Sequence, residues 1–125
     1  MAITDNNIVV DKIPFAGNKW AVSMYSADLT GTEEIKAAVA GKSHYIRRIV
    51  IRCSTATIME LGDGAAGAAL THIFLGPIPF LIASTAGLEL NFGEGEGMKL
   101  TAGLAFCIDQ TLAGPTWIYA EGNTA

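Results

Sequence analysis

Hydrophobic and polar positions alternate with a period of two along much of this chain, the signature of half-buried β-strands. Between Lys19 and Ser26, Trp20, Val22 and Met24 share one side. In the run Tyr45-Ile46-Arg47-Arg48-Ile49-Val50-Ile51-Arg52-Cys53, the residues Ile49, Ile51 and Cys53 point one way and Arg48, Val50 and Arg52 the other, so the first set is expected in the core. A second β-branched run, Thr55 to Leu61, follows at once and ends in Gly62-Asp63-Gly64. The two runs read as neighbouring antiparallel strands, the second closed by a Gly-Asp-Gly turn. Further short strands are expected at Leu88–Phe92, with Leu88, Leu90 and Phe92 inward, and at Met98–Leu100, Leu104–Ile108 and Thr116–Ala120.

The segment Glu33 to Ala40 is the one place where helix competes. Thr30 and Glu33 have capping-box spacing and alanine favours helix. Only about two turns fit before Gly41, however, and so short a helix is marginal alone. Ile35, Ala37 and Val39 also fit a period of two, which favours a strand that follows a turn over Ala27–Thr32 and hairpins through Gly41-Lys42 into the Tyr45 strand. Residues 1–18 mix Ile8, Val9 and Val10 with Asn, Asp, Pro and Gly, the texture of an extended arm. Short strands spaced near ten residues apart and punctuated by 14 glycines imply an all-β, single-domain antiparallel β-sandwich or jelly roll over residues 19–125, preceded by the N-terminal arm.

A chain of 125 residues buries about two-thirds of its unfolded surface, enough for one core. Half the residues are apolar and only 16% are charged, so either the surface carries many Ala, Ser, Thr and Gly positions or some apolar surface is covered by a partner. The longest apolar run, Ile73-Phe74-Leu75-Gly76-Pro77-Ile78-Pro79-Phe80-Leu81-Ile82, is too short for a transmembrane helix of about 20 residues and contains two prolines. Proline cannot donate into a central ladder, so the Gly76–Pro79 part is expected at an edge, a bend or an interface. The N-terminus lacks the basic and apolar regions of a secretory signal, and synthesis and initial retention in the cytosol are expected.

The net charge of −4 disfavours nonspecific nucleic-acid binding. Residues 1–52 nevertheless hold seven of the eight basic residues against five acids, while residues 53–125 hold Lys99 against seven acids. Lys36, Lys42, Arg47, Arg48 and Arg52 form either a small positive face or a set of exposed pairs with acids on adjacent strands, each pair contributing about 0–1 kcal/mol. Cys53 and Cys107 belong to no Cys-x-x-Cys pair and sit in apolar runs, so buried free thiols are expected. His44 and His72 lie on separate segments, too few for a cupin-type metal centre, and each reads as a surface or strand-end imidazole. There is no Gly-x-Ser-x-Gly elbow. Gly93-Glu94-Gly95-Glu96-Gly97 reads as a solvated turn, because its glutamates repel phosphate and are too few to hold calcium. Trp117 and Tyr119 fall on one face of the last strand and, like most of the aromatics, alternate with apolar neighbours as core residues do. No catalytic residue, metal ligand or cofactor is expected.

From Ala40 to Gly122 the chain resembles small virion structural proteins of tailed bacteriophages, of the head-decoration (cement) type. The resemblance lies in Tyr45–Ile51, the small-polar stretch Cys53–Thr57, the Gly62-Asp63-Gly64 motif, Gly76-Pro77-Ile78-Pro79, Leu88–Phe92 and Trp117–Ala120. It implies a nonenzymatic protein, often trimeric, that binds the major capsid protein at the capsid surface and needs neither nucleic acid nor membrane. Ile8, Val9, Val10, Ile73, Phe74, Leu75, Pro77, Ile78, Pro79 and Phe80 are then the candidate interface residues. A competing expectation is a tail- or spike-associated module that recognises a host glycan or receptor.

Overall fold

The computed structural model describes residues 18–54, 56–65, 69–80, 87–93 and 97–125. The described residues form seven strands: β1 (Lys19–Lys36), β2 (His44–Cys53), β3 (Thr57–Gly64), β4 (His72–Phe80), β5 (Gly87–Asn91), β6 (Met98–Lys99) and β7 (Ala105–Thr124). Every pairing is antiparallel. No helix long and apolar enough to cross a membrane occurs among the described residues.

β7 is the spine. Along one edge it pairs with β1 over nearly its full length. Along the other edge its C-terminal half, Thr116–Thr124, pairs with β2, and its N-terminal half, Ala105–Gln110, pairs with β3. β5 and β6 extend the sheet beyond β2, and β4 extends it beyond β3. The long strands β1 and β7 therefore run through both layers of a β-sandwich. The first layer contributes Trp20, Val22, Met24, Ile46, Ile49, Ile51, Ile118 and Ala120 to one core, and the second contributes Ile35, Met59, Leu61, Phe106 and Ile108. Burial of these side chains, at about 1.5–3 kcal/mol for each large one, drives the layers together.

Four expectations about connectivity are corrected. β1 does not stop at a turn over Ala27–Thr32; it continues to Lys36, with register shifts between Ser26 and Leu29 and between Leu29 and Gly31. It does not form a hairpin with β2, because β7 lies between them. Likewise β2 and β3 are not neighbours: both flank β7, one in each layer. Leu104–Ile108 and Thr116–Ala120, expected as separate strands, fall within the single strand β7 apart from Leu104, which precedes it.

The Gly-Asp-Gly motif is also not a turn. Gly62, Asp63 and Gly64 lie inside β3, paired with Cys107, Phe106 and Ala105. A Cβ on Gly62 would lie 1.9 Å from the His72 carbonyl oxygen, so the close approach of β4 requires glycine there. The inward set of β2 is as expected, with Ile49, Ile51 and Cys53 buried. A bulge at Arg47 adds one residue between the pairs Ile46↔Gly122 and Arg48↔Glu121, so that Ile46 is buried as well, three positions before Ile49.

Candidate functional site

His72, Asp63 and Thr101 join the ends of β3 and β4 to the segment after β6. Asp63 Oδ1 accepts a 2.7 Å hydrogen bond from His72 Nδ1, and Oδ2 accepts one of 2.8 Å from the Thr101 backbone N–H. Thr101 Oγ1 lies 3.3 Å from the same imidazole nitrogen. Burial alone would raise the Asp63 carboxyl, but the hydrogen bonds from Thr101 and His72 hold it below the usual carboxylate range. The pair has the form of a carboxylate–imidazole dyad, yet its hydroxyl neighbour sits at Nδ1, the nitrogen already turned to the carboxylate. A base that activates a nucleophile needs that hydroxyl at its other nitrogen. The arrangement acts as a brace.

His44 is a strand-end imidazole, one of the two places the sequence pointed to, since it opens β2, but it is fully buried and not at the surface. Its Nε2 donates to the Ala37 carbonyl at 2.7 Å, and its Nδ1 accepts from Thr124 Oγ1 at 2.7 Å. The donation to a carbonyl fixes the Nε2–H tautomer of the neutral ring. Burial lowers its pKa against the raising effect of the Ala37 bond, and Lys36 lowers it further. The ring packs edge-on to Trp20 at 5.9 Å. Cys53 and Cys107 are free and buried, and burial pushes the Cys107 thiol up to about 12. No cluster of three or more His, Cys, Asp or Glu with metal-binding geometry occurs among the described residues.

The candidate interface residues divide. Ile8, Val9 and Val10 lie outside the described residues. Phe74, Leu75 and Ile78 are half-buried and pack against the core, Phe74 with its ring 6.0 Å from Phe106. Ile73 is 49% exposed and Pro77 is exposed. Pro79 and Phe80 pair with Ile58 and Thr57 through the β4 backbone. β4 forms an edge of the second layer, as the prolines imply, and Ile58 beside it in β3 is 44% exposed.

The sequence reading missed the outer face of the first layer. Ile118 and Ala120 are the inward residues of β7 there, so Trp117 and Tyr119 face out, and Trp117 is 46% exposed. Tyr25, its partner in register, lies beside it with the rings tilted by 38° and their centroids 5.0 Å apart. On the other side Arg52 is in register with Trp117, and Val50 with Tyr119. Ser23, Met24, Tyr25, Val50, Arg52, Trp117, Ile118 and Tyr119 line a shallow groove of about 310 Å³. Of the expected cationic face, Arg48 is paired with Glu89 at 2.7 Å, which raises the guanidinium pKa and lowers that of the carboxyl through the hydrogen bond and the charges.

A second cleft, of about 410 Å³, lies at the C-terminal end of β7 and is lined by Lys19, Trp20, Arg47, Asn91, Gly93, Glu121, Gly122 and Asn123. The β2 bulge supplies Arg47 to it. Gly122 is required at this point, since a Cβ would stand 2.2 Å from the Tyr45 carbonyl oxygen and 2.8 Å from Trp20. Comparison with protein-family models, with curated proteins and with solved structures finds no match for this chain.

Proposed function

We propose that this protein is a nonenzymatic structural subunit of a tailed-bacteriophage particle, a head-decoration (cement) protein that assembles as a homotrimer and binds the major capsid protein noncovalently. The observation that carries the reading is the free edge of the second layer. Among the described residues β4 pairs only with β3, and the same two strands expose Ile73 and Ile58. A solvated edge strand with large apolar side chains invites pairing and burial, and a neighbouring subunit or shell supplies both. The likeness of residues 40–122 to phage decoration proteins supports the same reading, as does the low charge content of the chain. Binding the assembled shell and not its dissociated subunits would stabilise the shell by mass action. The site of action is then the capsid surface, after synthesis in the host cytoplasm. The test is co-sedimentation with shells that lack decoration. Wild-type protein should saturate them and raise the temperature at which they break, and Ile73→Lys should do neither; failure of the wild type to co-sediment would end this reading.

A second reading, a tail- or spike-associated module that recognises a host glycan or receptor, is favoured by a different observation. Trp117 is half-exposed and packs at a tilt against Tyr25 on a face the core does not need. Its test is the sugar titration described next.

A further inference from the structure

The groove at Trp117 and the cleft at Asn123 lie side by side on β7. Tyr119 lines the first and Glu121 the second, and the Tyr119 hydroxyl donates to Glu121 Oε2 at 2.9 Å. From residue 117 to residue 123, at a strand rise of about 3.3 Å per residue, the two together run about 20 Å. We infer that this strip is a binding site for an acidic oligosaccharide, one sugar ring lying on Trp117 and the carboxylates of the chain held by Arg52, Arg47 and Lys19. The inference rests on the second reading above and names its ligand.

Three features carry it. The groove has an apolar floor with one large exposed ring, the shape that the C–H face of a sugar covers. The cleft contains polar groups of both senses. Lys19, Arg47 and the amides of Asn91 and Asn123 supply donors, and those amides with Glu121 supply acceptors, a lining that suits a ligand rich in hydroxyls. Glu121 accepts from hydroxyls too. The third feature is charge: Lys19 and Arg47 line the cleft and Arg52 the groove, with Arg48 on the same strand as the two arginines, against the carboxylates of Glu121 and Glu89. A protein partner would need about 800 Å² of matched surface on each side, and nothing in two small hollows requires that.

The probe is an oligogalacturonate titrated into the full-length protein, followed by backbone amide shifts and tryptophan fluorescence. A neutral oligosaccharide of equal length and a single-stranded oligothymidylate are titrated in parallel. The inference predicts saturable shifts along β7 and β2 of the first layer, and binding at least about tenfold tighter for the acidic sugar than for the neutral one. Trp117→Ala and Arg52→Gln should each weaken it about tenfold or more, with melting temperatures near that of wild type because both side chains are exposed. Equal binding of the neutral sugar overturns the acidic ligand and leaves the recognition reading standing. Tighter binding of oligothymidylate overturns the sugar. Silence with both sugars overturns the site and the recognition reading together. Shifts on this face that grow with protein concentration alone overturn the site by assigning it to a second copy of the chain.

Discussion

His44 shows how much one residue can be constrained by the groups around it. In the neutral ring Nε2 donates to the Ala37 carbonyl and Nδ1 accepts from the Thr124 hydroxyl, and burial disfavours the charged ring. The folded pKa lies below 6.5, so between it and pH 6.5 the unfolded chain binds more protons than the folded one. Stability should therefore fall on acidification below about pH 6.5, by at most about 1.4 kcal/mol per pH unit from this group. Urea melts from pH 7.5 to 5 check this, and the slope should flatten in His44→Gln. Asp63, whose carboxyl is held low, adds a separate loss below about pH 3.8, which Asp63→Asn should remove. Gly62→Ala should cost about 1–3 kcal/mol or more, because the new Cβ meets backbone of β4 that cannot swing aside. Cys107, with its thiol pushed up to about 12, should resist a thiol reagent at pH 8 in the native protein and react after unfolding.

At the scale of strands, the inward faces were legible and the partners were not. Trp20, Val22 and Met24, and Ile49, Ile51 and Cys53, announced their burial by alternation, and that local signal survives any pairing scheme. The Arg47 bulge was hidden because a bulge changes which residues face inward without altering composition; the only trace is the three-residue spacing of Ile46 and Ile49. Trp117 and Tyr119 were misassigned to the core for a related reason. Ile118 and Ala120 make an equally apolar opposite face, and periodicity cannot say which of two apolar faces turns in. Proline, by contrast, narrowed the reading to an edge, a bend or an interface, and among the described residues β4 is an edge strand. The element-scale prediction concerns that edge. Ile73→Lys should change folding stability by no more than about 0.5 kcal/mol in denaturant melts, since the side chain is half in water, while weakening self-association.

For the whole molecule, the decisive fact is that β7 carries β1 on one side and both β2 and β3 on the other. The pairs that define this, such as Trp20 with Gly122 and Glu33 with Ile108, join residues far apart in sequence. Local turn chemistry instead argued for hairpins, β1 with β2 and β2 with β3, and the gain from burying two long strands through both layers outweighed it. The same architecture places the two surfaces of interest in different layers. The apolar edge at Ile58 and Ile73 belongs to the second layer, and the aromatic strip at Trp117 to the first. A subunit built this way can associate through one layer and leave the other free. The most direct test of that account is sedimentation of the wild-type chain and of Ile73→Lys over a wide range of concentrations. The account predicts a species of three times 13.1 kDa that persists on dilution for the wild type and gives way to 13.1 kDa in the variant. A wild-type chain that sediments at 13.1 kDa at every concentration would contradict it.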